Sequence, residues 1–113
     1  MTSHSNAIAV FMTAPTRVEA DQIAEMLIDT KLAACVQIFP EIESVYRWQG
    51  AVERQKEVLL IAKTTTECFT ELETKVRAIH SYDTPEIVAT PLTSGSPSYL
   101  NWLRENVRVD EKA

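Results

Sequence analysis

His80-Ser81-Tyr82-Asp83-Thr84-Pro85-Glu86 is the stretch of this sequence with the densest chemistry. It places an imidazole, a phenol and two carboxylates within one short segment. Imidazole nitrogen with carboxylate oxygen is a donor set that suits divalent transition ions such as Cu(II), Ni(II) or Zn(II). The segment also reads as a helix C-terminus, with His80 facing the last carbonyls. Two or three candidate ligands at no fixed spacing are weak evidence for a metal site, so on its own the segment reads as a helix end.

Two other groups of residues have chemical character. Tyr46-Arg47-Trp48-Gln49-Gly50 brings two aromatics to a turn, which suits a ligand face or, as preferred here, the core of an interface between copies. Lys31-Leu32-Ala33-Ala34-Cys35 offers a thiol near one lysine, which could be reactive or metal-binding but reads better as tight packing of small residues at a helix–strand junction. The motifs that would mark an enzyme are missing. With only two glycines there is no phosphate-binding loop. No Gly-x-Ser-x-Gly elbow or His-Glu-x-x-His zinc helix occurs. His4 falls in a polar N-terminal tail, which leaves His80 as the one imidazole placed for catalysis, and no nucleophile–base pair is readable. The expectation is a protein that is not an enzyme.

Composition narrows the partners. The formal net charge is −5 and the pI about 5.0. Eleven basic residues, scattered and outnumbered by sixteen acidic ones, argue against nucleic acid and anionic membranes. No apolar run approaches the roughly 20 residues of a membrane helix. Residues 1–6 lack the apolar core of a signal peptide, and Cys35 and Cys68 form no Cys-x-x-Cys motif. Two buried thiols in a reducing, cytoplasmic compartment are expected.

The elements that must position these groups follow from periodicity. A chain of 113 residues fits one domain, residues 1–113, with 1–6 and 108–113 as flexible tails. Ala7 to Met12 reads as a buried strand. Thr16 and Glu19 form a capping box for a helix whose buried face is Ala20, Ile23, Ala24, Leu27 and Ile28. Ala33 to Trp48 is extended, with Pro40 marking a bulge or bend. Gln49-Gly50 turns the chain into a second extended run, Ala51 to Thr64. In that run Glu53 to Glu57 reads as solvated and Val58 to Ala62 as buried on both sides. Thr64 and Glu67 have capping-box spacing for a second helix, with a stripe of Phe69, Leu72, Val76 and Ile79. Glu86 to Thr90 is a short strand. Ser96-Pro97 starts a last helix, through about Asn106, with Leu100, Leu103 and Val107 as its stripe. Two strand–helix–strand halves joined by a hairpin give an α+β, ferredoxin-like split-βαβ sandwich, βαββαβ plus a C-terminal helix. Both amphipathic helices cover one sheet face. The other is left apolar and wet, so self-association is expected.

Six short strings then occur in one order: Thr13-Ala14-Pro15, Lys31 to Cys35, Tyr46 to Gly50, Glu57 with Lys63-Thr64, His80 with Tyr82, Thr84, Pro85 and Glu86, and Tyr99-Leu100-x-Trp102-Leu103. On these the chain resembles the CutA family of divalent-cation-tolerance proteins, from about Ala7 to Val107. The resemblance implies a homotrimer with the architecture of the PII signalling proteins. It implies a role in tolerance of copper or other divalent cations, with no defined catalytic activity. A copper site in some members uses a Cys at the end of the first strand with the His and Glu of the later segment. The latter two correspond to His80 and Glu86. Met12 stands where the Cys would be, a thioether that favours Cu(I) over Cu(II), and Ser81 replaces the family's Pro. A second implied role is a PII-like small-ligand sensor using clefts between subunits, lined by Tyr46, Trp48, Lys63, Tyr82 and Glu86. A third is a structural or interaction role for the trimer.

Overall fold

The computed structural model describes residues 6–109. The flexibility expected of the outermost residues, with His4 among them, therefore concerns positions outside the described residues. Eight elements follow in order: β1 (Ala7–Ala14), α1 (Arg17–Asp29), β2 (Cys35–Trp48), β3 (Ala51–Thr65), a 3₁₀ turn (Thr66–Cys68), α2 (Phe69–Ile79), β4 (Ile87–Pro91) and α3 (Pro97–Glu105). The strands form one sheet in the order β2-β3-β1-β4, antiparallel at every pairing. Each strand–helix–strand half is thus split by a strand of the other half. This is the ferredoxin-like arrangement expected from the periodicity.

Strand alternation sorts the core. Val10, Met12 and Ala14 of β1 pair with Ala62, Leu60 and Val58 of β3 and face the helices, all nearly or wholly buried. Ala20, Ile23 and Leu27 of α1, with Leu72 and Val76 of α2, close over them. Two residues expected in the stripes do not take part. Ile28 and Ile79, each in the last turn of its helix, are 43% exposed.

Helix ends follow local chemistry. The Thr16 hydroxyl accepts from the Glu19 amide at 3.2 Å, and the Ser96 hydroxyl from the Tyr99 amide at 3.3 Å. After α1 the amides of Lys31 and Leu32 donate to the carbonyls of Ile28 and Leu27, a Schellman closure. Lys31 sits at the left-handed position with φ 59°, where glycine is usual. The capping box expected at Thr64 and Glu67 is not formed. Thr64 belongs to β3, is fully buried, and donates its hydroxyl to the Leu32 carbonyl at 2.6 Å. Strand pairing with Ile8 claimed the residue before a helix could start. Its own backbone amide, and then the Asn6 amide group, hold the Glu67 carboxyl below the usual carboxylate range. At the C-terminal end Arg108 donates its amide to the Lys31 carbonyl at 2.7 Å and pairs with Glu71 at 3.0 Å.

β2 and β3 reach well past the rest of the sheet. β1 pairs with β3 only as far as Ala14 with Val58, whereas β2 and β3 stay paired from Ile42 with Glu57 out to Trp48 with Ala51. At about 3.3 Å per residue the two-stranded ribbon projects roughly 20 Å. Gln49 and Gly50 both have positive φ, 50° and 85°, as a two-residue type I′ turn requires. The register shifts between Phe39 and Ile42, at the Pro40 where a bulge was expected. No helix among the described residues is long and apolar enough to cross a membrane.

Candidate functional site

The bulge and the turn together decide what the ribbon presents. Directly paired residues share a face, so Ile42, Ser44, Tyr46 and Trp48 stand beside Glu57, Gln55, Glu53 and Ala51. The opposite face carries Arg47, Arg54 and Lys56, with Glu43. There Arg54 pairs with Glu43 at 3.5 Å, and Lys56 pairs with Glu41 at 3.4 Å. The basic side chains therefore share one face, two of them paired to glutamates, while Glu53 and Glu57 stand with the two aromatic rings on the other.

The segment after α2 folds onto the carboxylate face. His80 ends α2, and its side chain is completely buried. Its Nε2 lies 2.8 Å from the Thr13 carbonyl, and its Nδ1 lies 3.0 Å from the Tyr82 amide. A carbonyl only accepts and an amide only donates, so Nε2 carries the proton and Nδ1 is the acceptor, a neutral tautomer assigned by its partners. Glu19 reaches across from the first turn of α1. Its Oε2 accepts from the Ser81 amide at 2.9 Å and the Ser81 hydroxyl at 3.1 Å, and stands 3.3 Å from His80 Nδ1. The turn is thereby held from three elements, which aims Tyr82 at the ribbon.

A directed chain of hydrogen bonds follows. Tyr46 donates to Gln55 Oε1 at 2.6 Å, and Gln55 Nε2 donates to the Tyr82 hydroxyl at 2.9 Å. Tyr82 donates to Glu57 Oε2 at 3.0 Å, while the Ser44 hydroxyl donates to Glu57 Oε1 at 2.7 Å. Burial, and then the bond to Glu57, push the Tyr82 phenol up to about 12. Glu57 is only 7% exposed, against the solvated position expected for it. The alternation was read correctly, but Tyr82, far away in sequence, covers the residue. These groups line a cleft of about 600 Å³ with Thr13, Val45, Trp48, Asp83, Thr84 and Glu86. A second cavity, of about 730 Å³, lies between Leu32, Cys68 and Arg108, where Arg108 is already paired with Glu71.

Of the five residues expected to line a cleft between subunits, Tyr46, Trp48, Tyr82 and Glu86 lie along this cleft of the single chain. Lys63 does not within one chain. It stands at the far end of β3, opposite Ala9 and Cys35, and donates to Gln37 at 2.8 Å. The three residues of the expected metal set differ in burial and in their partners. Met12 is fully buried on the helix face, between Leu60 and Ile87 in register. His80 has both ring nitrogens engaged, and Glu86 is exposed at the cleft wall. Among the described residues no three His, Cys, Asp or Glu side chains cluster as a metal would need. Cys35 and Cys68 are free thiols, Cys68 buried and Cys35 half-buried with its Sγ 3.6 Å from the Tyr99 hydroxyl. Burial and that thiol raise the Tyr99 phenol to about 12. Sequence reasoning left Glu57, Ser44, Gln55 and Glu19 out of the site. The first three were available from the Gln49-Gly50 turn, which sets their register to Tyr46 and Trp48. Glu19 had no local signal.

Residues 8–106 match the family model of the CutA1 divalent ion tolerance protein. The chain belongs to this family. It is 50% identical over 97 residues to the divalent-cation tolerance protein CutA of Thermus thermophilus, covering 86% of this chain and 94% of that one. The chloroplastic CutA of Arabidopsis thaliana is 45% identical over 90% of this chain, which spans 56% of that longer protein. Among solved structures, CutA1 of Thermus thermophilus superposes with a TM-score of 0.89 at 47% identity, covering 90% and 99% of the two chains. CutA1 of Oryza sativa gives 0.90 at 41% identity, over 95% and 98%. The ferredoxin-like, PII-like fold is therefore that of the solved CutA1 structures.

Proposed function

We propose that this chain works as a homotrimer in the response to divalent cations, binding its ligand rather than transforming it, and that the Glu57–Tyr82 cleft is the binding site. One observation carries the reading: a carboxylate that is 93% buried, with no lysine, arginine or histidine paired to it among the described residues. A buried charge without a counter-charge is costly. An entering cation relieves that cost. Asp83 and Glu86, on the same cleft wall, add further oxygen donors.

The relatives' names bring forward a divalent cation, and the family resemblance points to copper at His80, Glu86 and Met12. For His80 to coordinate, its ring would have to release the Thr13 carbonyl or the Tyr82 amide. Carboxylate oxygens alone favour a harder ion such as Mn(II). His80 then serves by aiming Tyr82 at Glu57.

Self-association is supported by the ribbon itself. A two-stranded ribbon standing alone is marginal in water. It exposes Trp48 at 57%, Val45 at 53% and Val52 at 62%, with Phe39 and Val88 exposed on the sheet. Neighbouring copies seated there would cover these groups and complete the cleft. The two unpaired thiols suit a reducing compartment such as the cytoplasm.

Sedimentation equilibrium should give three times the chain mass of 12.7 kDa. Calorimetry with Mn(II) and Cu(II) should show a saturable site that Glu57→Gln or Glu86→Gln weakens at least about tenfold. A monomer, or ion affinities unchanged in both variants, rejects the reading.

A further inference from the structure

The imidazole that aims Tyr82 has two neighbours at one nitrogen and can bond only one of them at a time. His80 Nδ1 accepts from the Tyr82 amide at 3.0 Å and stands 3.3 Å from Glu19 Oε2. Without a proton the nitrogen accepts the amide and offers the carboxylate nothing. With a proton it donates to the carboxylate and has no lone pair left for the amide. The other nitrogen does not change, since Nε2 donates to the Thr13 carbonyl at 2.8 Å in both forms. The imidazole is completely buried within its own chain, so this choice does not depend on what covers the ribbon. The charged and titratable groups around the ring, among the described residues, come from each element packed there. α1 supplies Glu19, whose side chain is 14% exposed and so connects the ring to solvent. β1 supplies only the neutral Thr13 carbonyl. On α2, Arg77 is tied to Glu73 at 3.9 Å, and the last carbonyls of the helix favour positive charge at its end. On the ring's own turn the Tyr82 phenol is neutral, and Asp83 and Glu86 line the cleft. β3 connects to the ring through Tyr82 and Glu57.

We propose that His80 is a proton-operated latch on the cleft: a proton taken up at Nδ1 exchanges the Tyr82 amide for Glu19, and Tyr82 then leaves Glu57. The latch rests on the reading of this cleft as the cation site and adds its regulation. Imidazole is the side chain that changes charge between about pH 5 and 8. The proton comes from solvent by way of Glu19 and stays on Nδ1; one hydrogen bond forms, to Glu19, and one is lost, from the Tyr82 amide. Glu19 has room for it. A carboxylate has about four acceptor sites and Ser81 fills two, so Glu19 holds the imidazolium while keeping Ser81. The amide that loses its acceptor belongs to the residue whose hydroxyl covers Glu57 at 3.0 Å. Moving that backbone draws the phenol off the carboxylate and displaces the next residue, Asp83, from the cleft wall. A cation at Glu57 therefore favours the neutral ring, and by reciprocity its binding expels the proton. Affinity falls as pH falls.

The test follows the ¹⁵N-labelled full chain by NMR from about pH 8 to about pH 5, with no metal added. The other histidine is replaced, His4→Asn, so that a single ring reports. His80 should pass from the neutral form protonated at Nε2 to the imidazolium, and the Tyr82 amide resonance should move with the same midpoint. Glu19→Gln keeps an oxygen for Ser81 and should fold; without the counter-charge its midpoint should move to lower pH. His80→Gln should abolish the response of the Tyr82 amide. Calorimetry with manganese chloride should then show an affinity at least about fivefold weaker at about pH 6 than at about pH 8, over and above any change in His80→Gln, which removes the contribution of the carboxylates' own titration. A Tyr82 amide that stays in place while the ring titrates overturns the latch. So does a ring that takes up no proton above about pH 5, or a midpoint unmoved in Glu19→Gln. Mn(II) affinity with the same pH dependence in wild type and His80→Gln overturns it as well. If Tyr82 follows the ring but Mn(II) saturates at neither pH, the latch is upheld and the reading of the cleft as a cation site is the part that falls.

Discussion

Replacing His80 by alanine separates a strut from a metal ligand. The imidazole is completely buried and makes two bonds to backbone, Nε2 to the Thr13 carbonyl at 2.8 Å and Nδ1 from the Tyr82 amide at 3.0 Å. Each neutral hydrogen bond contributes about 1 kcal/mol net. Removing a fully buried ring from between α2 and β1 adds a cavity cost of about 1–2 kcal/mol after partial collapse. The expected loss is therefore about 3–4 kcal/mol, a large share of a typical stability of about 5–15 kcal/mol. Urea unfolding at fixed chain concentration should show the midpoint falling by about 2 M, for a slope between about 1 and 3 kcal/mol/M. His80→Gln is the control. Its side-chain amide can still donate toward Thr13, so about 1 kcal/mol should return. Cu(II) titrations of the same three proteins complete the assay. A loss below about 1 kcal/mol, joined to abolished copper binding, would refute the strut argument and make His80 a ligand.

Three further outcomes follow from the geometry. Tyr82 and Tyr99 both have phenols raised to about 12 in the folded chain, so folding favours their neutral forms. Their contribution is complete below the unfolded value of about 10 and is lost as pH rises toward 12. Alkaline melts should show that loss, and Tyr82→Phe should flatten it while lowering stability at neutral pH by about 1.5–2 kcal/mol, the cost of a hydrogen bond to a charged group. Lys31→Gly should raise stability by about 0.5–1 kcal/mol in thermal unfolding, because relief of the left-handed strain outweighs the entropy of glycine. Ser96→Ala should cost about 1 kcal/mol through loss of the cap on the Tyr99 amide, and a change within error would remove that cap from the account of α3.

How far the molecule was legible in its sequence depended on the range of the interaction. Thr16 and Ser96 act through amides three residues away, and both caps were readable. Gln49-Gly50 sets the register of the ribbon, and through it the shared face of Tyr46, Ser44, Gln55 and Glu57. Thr64 shows where local reading fails. Its spacing to Glu67 fits a capping box, but eight consecutive pairings with β1 extend β3 through Thr65, and the Leu32 carbonyl takes the hydroxyl. Glu57 shows the same limit at the site. Its neighbours in sequence are polar, so it looks wet. It is covered by Tyr82, 25 residues on, which is itself aimed by His80 and Glu19 from two helices. No pattern within a single element contains that convergence. The consequence for function is specific. A glutamate on a solvated ribbon would be one acidic side chain among sixteen. Buried, hydroxyl-bonded and, among the described residues, without a paired base, the same residue becomes the group in the cleft most in need of a cation.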